Sequence, residues 1–292
     1  MVGTRGDTDI LSGALRGQIL ALCLLCANLF STAASAAPKA ELWSRWTLHD
    51  PKSTRVLNHT PWQDFLSRYV VTGADGITRI RYGDVGFESR GMLRVYLDQL
   101  QRTEVSALRR EEQRAYWINL YNAQTVKLVL DRYPLHSILE IQISPGFFAK
   151  GPWGAKLLKV EDQTLSLDDI EHRILRPIWN DARTHYALNC ASLGCPNLTP
   201  QAYTAGNMET LLDAGARAYI NHPRGARVEQ GRLIVSSIYN WFEDDFGGNA
   251  AGVIAHLRAY AAPPLATNLQ GISRIGDHAY DWSLNDLRAP DN

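Results

Sequence analysis

His185-Tyr-Ala-Leu-Asn-Cys190-Ala-Ser-Leu-Gly-Cys195-Pro196 gathers two thiols and an imidazole within twelve residues. Its first half, HYALNC, is apolar and β-prone and predicts a short buried strand, while SLGCP reads as a Gly/Pro turn. Chemistry is expected where that strand ends. On a regular strand His185 and Cys190, five positions apart, face opposite sides, so a turn must bring Cys195 round to the imidazole. Gly194 permits the sharp turn and Pro196 fixes the exit. These neighbours suit a thiol held out of a strand end, whereas Cys190, within the strand, has the character of a core cysteine.

Upstream, Thr60-Pro61 opens a predicted helix, ITRIRY (Ile77 to Tyr82) a strand, and SRGMLRVYLDQLQ from Ser89 a second helix. The longest element is expected from Leu108 to Arg132, ended by Tyr133-Pro134, with Trp117, Leu120, Tyr121, Gln124 and Leu128 as its buried stripe. SPGFFAKGPWG, within Ile141 to Gly154, predicts an irregular aromatic loop. KLLKV and QTLSL read as strands around Glu161-Asp162, and Ser166-Leu-Asp-Asp169 as a capping box opening a helix through Ile178. Downstream are predicted a helix from Thr199-Pro200 to Asn221, a hairpin in ARVEQGRLIVSS, a short helix over Ile238 to Phe246, a helix over Ala250 to Ala261 and a final strand in ISRIGDHAYDWSLN. Strands and helices mix without a βαβ repeat. The fold class is therefore α+β, a single mixed domain with a small sheet packed by several helices.

The chain is expected to be exported. Arg16 precedes the apolar run Ile19–Phe30, too short to span a bilayer, and Ala34-Ser35-Ala36 fits a small-x-small cleavage site. Residues 1–36 read as a signal peptide, 37–59 as an N-terminal extension and 60–292 as the domain. The expected location is secreted or periplasmic. Cys23 and Cys26 leave with the leader, so Cys190 and Cys195 remain of the four cysteines. With 30 basic against 30 acidic residues and zero net charge, no basic face points to nucleic acid, and no further apolar run points to a membrane after cleavage. In an oxidising compartment Cys190 and Cys195 could close a structural disulfide. Two thiols do not complete a zinc site without His185 or His172, and no zinc-finger spacing is present, so no metal and no cofactor are assigned.

A cysteine nucleophile works as thiolate, made by a nearby imidazole or a helix N-terminus. The candidate imidazoles are His185 and His172. Asp168 and Asp169 lie four and three residues before His172, so a carboxylate on one helix face could orient its ring, although the same spacing makes ordinary surface pairs. Asn119 and Asn122 lie on one side of the long apolar helix. There they either tie neighbouring loops together or, for Asn122, orient a catalytic histidine or donate to an oxyanion. Glu243, Asp244 and Asp245 read as a solvated face.

Five blocks together resemble the family catalogued as domain of unknown function 547: AYWINLYNA (Ala115 to Ala123), LSLDDIEHRILR (Leu165 to Arg176), HYALNCASLGCPNL (His185 to Leu198), SSIYNWFEDDFG (Ser236 to Gly247) and YDWSLN (Tyr280 to Asn285). The resemblance covers roughly Trp62 to Asn285 and implies a shared fold and motif set, with no established reaction attached. Two readings stay open. One is a thiol-dependent hydrolase or acyl transferase with Cys195, or Cys190 in its place, as nucleophile, His185 or His172 as base, and Asn122 or Asp169 as orienter. The other is a non-catalytic exported binding or scaffold module with a structural Cys190–Cys195 pair, whose aromatic loop at Phe147, Phe148 and Trp153 meets a peptide or glycan. A small-molecule, peptide or glycan partner fits either. Thiol–disulfide exchange ranks behind both, because C-x-x-C spacing suits it better.

Overall fold

The protein is represented by a computed structural model that describes residue 1 and residues 38–146 and 149–287. The expected signal peptide, and Phe147 and Phe148 of the aromatic loop, lie outside the described residues. The described residues from 38 to 287 form one compact unit.

Helices α1 (Thr60–Tyr69), α2 (Phe87–Gln101) and α3 (Arg110–Arg132) form its first half. Helix α3 is the axis. From Glu112 to Val126 every residue is buried, so the predicted stripe is in fact almost the whole circumference. Each fully buried Leu or Trp on it stabilises the fold by about 1.5–3 kcal/mol. Trp117 meets Trp46 edge to face, which ties the segment before α1 to this core. That segment also donates hydrogen bonds from the Glu41 and Trp43 amides to the carbonyls of His172 and Arg173. The predicted N-terminal extension is therefore packed structure from residue 38 onward.

Two antiparallel hairpins flank the core. β1 (Val70–Thr72) pairs with β2 (Thr78–Ile80), and β3 (Leu158–Val160) with β4 (Gln163–Leu165). Glu161 and Asp162 turn the second hairpin with φ of 42° and 63°, where Asp tolerates the left-handed region better than most residues. A π-helical turn, α4 (Asp169–Leu175), follows and runs into α5 (Arg176–Trp179). As expected, Ser166 and Asp169 exchange capping hydrogen bonds at its start.

The predicted strand at 185–190 is not formed. Thr184–Ala187 is a single helical turn, α6, and the chain then enters a loop. HYALNC carries a strand's composition, but Asn122 of α3 takes the backbone partners that a neighbouring strand would have supplied. The next helix, α7 (Met208–Ile220), begins well after Thr199-Pro200, because the intervening chain is tied instead to α3 through Asn119 and Tyr203.

A second core cluster lies among α7, α9 (Ala250–Tyr260), α10 (Pro263–Asn268) and a three-stranded sheet. The sheet holds the hairpin β5 (Ala226–Glu229) and β6 (Arg232–Ser236), with β7 (Ile275–Ala279) parallel to β6. Between β6 and α9 lie α8 (Ile238–Trp241) and a 3₁₀ turn over Glu243–Phe246. The α+β class holds, with the strands divided among three small sheets of two or three strands. β7 delivers the final segment, 280–285, alongside the cysteine loop, and α8 delivers Trp241 to Tyr280 and Trp282 of that segment.

Candidate functional site

Helix α3 sets the cysteine loop. Asn122 Nδ2 donates to the Ala187 carbonyl at 2.8 Å and its Oδ1 accepts from the Asn189 amide at 2.9 Å, so one buried carboxamide clamps both sides of Leu188. Asn189 continues the frame by accepting from the Ala191 amide at 3.0 Å and donating to the Pro196 carbonyl at 2.8 Å. Ala191 is thereby held at φ 60°, a sharp turn that a non-glycine residue adopts at some cost. The final segment closes the loop from outside, with the Leu193 amide donating to Ser283 O and the Gly194 amide to Asp281 O, both at 2.8 Å. A Cβ at Gly194 would lie 2.7 Å from the Asp281 nitrogen, so only glycine permits this approach.

This frame presents two free thiols of unequal access. Cys195 is buried, its sulfur accepting from the Cys190 amide at 2.9 Å. Cys190 is partly exposed, and its sulfur lies 3.0 Å from the Tyr280 hydroxyl and 3.2 Å from that of Ser192, which are 2.9 Å apart. Burial opposes ionisation of Cys190, but hydrogen bonds from Cys195, Ser192 and Tyr280 outweigh it and bring its pKa below the ordinary value. Burial and the neighbouring Cys190 push the Cys195 thiol well up. Of the two, Cys190 is the more exposed and the more readily ionised. Tyr280 packs against Trp241 and Trp282, and Trp153 against Trp282, giving the sulfur an aromatic flank.

The two imidazoles belong to another cluster. His185 Nε2 lies 2.6 Å from Asp245 Oδ2 and its Nδ1 lies 3.6 Å from Glu171 Oε1, with Phe242 stacked on the ring. Burial disfavours charge on His185, yet hydrogen bonds to Asp245 and Glu171 raise its pKa above the ordinary value. Arg176 Nε also reaches Asp245 Oδ2 at 2.6 Å, and its Nη1 lies 3.0 Å from His172 Nδ1. A guanidinium can only donate, so His172 Nδ1 accepts and the ring proton sits on Nε2. That nitrogen faces Asp168 Oδ1 at 3.7 Å, a span suited to a bridging water. Burial lowers His172 to a pKa of about 4. Glu171 and Asp245, whose burial is outweighed by these cations, fall to about 2. Asp168 rises to about 7 through burial and the nearby charges of Glu171 and Asp169.

The two clusters are neighbours but are not bonded. Tyr121 lies between them, donating to Glu171 at 3.1 Å, and its phenol is raised by burial and by the charges of Glu171, Cys190 and Cys195. Neither His172 nor His185 hydrogen-bonds a sulfur, because α6 turns His185 away from the cysteine loop toward Asp245. Asn122 meets backbone and no histidine, so it positions the loop. Asp169 orients neither ring; its carboxylate is taken by Ser166, Lys156 and Arg173 as the helix cap. Asp168 lies 3.7 Å from His172 Nε2, and the other ring nitrogen meets Arg176.

Asp245 was expected on a solvated face and is instead the ion partner of His185 and Arg176, while Tyr280 and Ser192 were overlooked. All three lie within the motif blocks, Ser192 in HYALNCASLGCPNL, Asp245 in SSIYNWFEDDFG and Tyr280 in YDWSLN. Among the described residues no group of three or more His, Cys, Asp and Glu side chains is placed to hold a metal, and no helix is long and apolar enough to cross a membrane. An open hollow of about 410 Å³ between Asp98, Gln101, Lys159 and Glu161 is lined by none of the site residues.

Fold and site together define an α+β protein with a hydroxyl-bonded thiol beside a closed set of buried charges. Residues 105–220 match the family described as Protein of unknown function, DUF547, and include the WINLYNA, LSLDDIEHRILR and HYALNCASLGCP blocks. Asp245 and Tyr280 lie beyond the matched stretch. No curated protein and no solved structure matches the chain.

Proposed function

We propose that the protein is an exported thiol-dependent hydrolase or acyl transferase with Cys190 as its nucleophile. One observation carries this reading: the sulfur of a partly exposed cysteine lies within hydrogen-bond distance of the hydroxyls of Tyr280 and Ser192, beside a second, buried cysteine. Hydrogen bonds to sulfur favour the thiolate, so the nucleophile forms without an imidazole on it. The thiolate attacks a carbonyl carbon, the amine or alcohol leaves with a proton, and water or an acceptor then takes the acyl group from the thioester. Tyr280 is the hydroxyl placed to pass that proton. The substrate is a small molecule, peptide or glycan carrying an acyl group, and the rings of Trp241 and Trp282 offer it an apolar face.

Incubation with 4-nitrophenyl acetate followed by peptide mapping tests this. An acetyl group on Cys190, absent from Cys190→Ala and turned over by the native protein, is the expected result. Acetylation confined to surface lysines, or unchanged release of nitrophenol by Cys190→Ala, rejects it. A second reading is favoured by one specific observation: both imidazoles are committed to carboxylates and a guanidinium instead of sulfur. On that reading the protein is a non-catalytic exported scaffold, and the aromatic flank of Trp153, Trp241 and Trp282 binds a peptide or glycan.

A further inference from the structure

The second sulfur has no task in acyl transfer. Cys195 is buried, yet its sulfur lies 2.9 Å from the Cys190 amide, and after burial each thiol is the group that most affects ionisation of the other. The loop that joins them is fixed by Asn122, Asn189, Ser283 and Asp281. The two cysteines therefore stay neighbours, Cys190 partly exposed and Cys195 buried. An accessible thiol beside a sheltered one is the arrangement in which oxidation of the first is resolved by the second.

We propose that Cys190 is an oxidative modification site for hydroperoxides and that Cys195 is its resolving thiol. The Cys190 thiolate attacks the O–O bond of a hydroperoxide. An S–O bond forms, the O–O bond breaks, and the departing oxygen takes a proton and leaves as water or an alcohol. The sulfur has lost two electrons and the peroxide has gained them. Cys195 then gives up its proton and attacks the Cys190 sulfur, so that the S–S bond forms, the S–O bond breaks and the hydroxyl group leaves with that proton as water. An external dithiol returns both sulfurs to thiols by exchange. Closure removes the nucleophile from use and protects it from oxidation to the sulfinic acid, which dithiols do not reverse. The step uses thiol chemistry alone and does not depend on acyl transfer.

The test is peptide mapping of the full chain after a short exposure to hydrogen peroxide, with dimedone as the trap for sulfenic acid. The native protein should yield a Cys190–Cys195 cross-link, distinct from any involving Cys23 or Cys26, with little dimedone adduct, and dithiothreitol should restore both thiols. Cys195→Ala should accumulate dimedone on Cys190 at least tenfold over the native protein. Cys190→Ala should leave Cys195 reduced and open to alkylation only after denaturation. Equal dimedone labelling of the native protein and Cys195→Ala overturns the proposal, as does dimerisation through Cys190 in place of the internal cross-link. Should either variant fail to fold, the native protein alone still decides: sulfinic acid on Cys190 without the cross-link is a negative result. A protein that forms the cross-link but never accepts an acetyl group loses the acyl-transfer reading and keeps this one.

Discussion

The sulfur cluster and the imidazole cluster sit on either side of Tyr121 and are built on opposite principles. Around Cys190 the partners are the Cys195 thiol and the neutral hydroxyls of Ser192 and Tyr280, and the residue is partly exposed. Around His185 the partners are charges, two cations against two anions, packed under Phe242. The first arrangement leaves a reactive atom whose state can change at modest cost. The second satisfies every charge with another, so altering one member leaves an uncompensated charge in a poorly solvated place. The histidines, conspicuous in the sequence, are thus bound into a buried set of charges, while the Cys190 thiol meets only neutral partners.

The largest effect should follow from breaking the charged cluster. Asp245→Ala strands the Arg176 guanidinium and the His185 imidazole, both nearly inaccessible, and should cost about 3–5 kcal/mol of stability. Urea unfolding at neutral pH measures it. A loss under about 1 kcal/mol would mean that the cluster is solvated like a surface pair and that the contrast with the sulfur side is wrong.

Next comes the clamp that serves the sulfur side. Asn122→Ala leaves the Ala187 carbonyl and the Asn189 amide without partners inside the core, for about 2–3 kcal/mol. Its distinguishing mark is local. Amide hydrogen exchange should accelerate across 187–196 more than across α3, whereas a general loosening of the core would accelerate both.

This clamp also shows how far the sequence could be read. The long helix, the hairpins at 158–165 and 226–236, a strand within ISRIGDHA and the capping box follow from periodicity, turn residues and caps, which act within a few residues of themselves. HYALNC misleads because strand composition is satisfied here by a side chain from residue 122, a partner no local pattern can announce. Asp245 was hidden in the same way. In FEDDF three acids look alike, and only the tertiary position of Arg176 and His185 separates Asp245 from Asp244. Asn122, Cys190 and His185 were visible as types that a core must account for, but their assignments to backbone, hydroxyl or carboxylate depend on packing between elements sixty or more residues apart.

A smaller effect isolates the hydroxyl that favours the thiolate. Tyr280→Phe keeps the contacts with Trp241 and Trp282 and removes one donor from Cys190. Stability should fall by less than about 1 kcal/mol. The pKa of Cys190, read from the pH dependence of iodoacetamide alkylation, should rise by roughly one unit, slowing the reaction at neutral pH about tenfold. An unchanged profile would assign the thiolate to Ser192 and Cys195 and strip Tyr280 of its part in proton transfer.

The smallest effect concerns Asp168, the carboxyl of the charged cluster with most access to solvent. Its pKa in the folded protein is raised to about 7 from the ordinary 3.8, so the native state keeps a proton that the unfolded chain has lost. The associated stability is complete below about pH 4 and disappears as the pH climbs through 7. Asn mimics the protonated acid at every pH. Asp168→Asn should therefore match the native protein near pH 4 and exceed it above pH 7, by about 1 kcal/mol once solvent screening of a side chain 39% exposed is allowed for. His172 contributes the opposite trend, losing stability as the pH falls from 6.5 toward 4, but it does so in both proteins and drops out of their difference. A gap of constant size from pH 4 to 8 would show that Asp168 is ionised throughout. The set of charges around His172 would then be open to solvent on that side, and the contrast between its two neighbouring clusters would narrow.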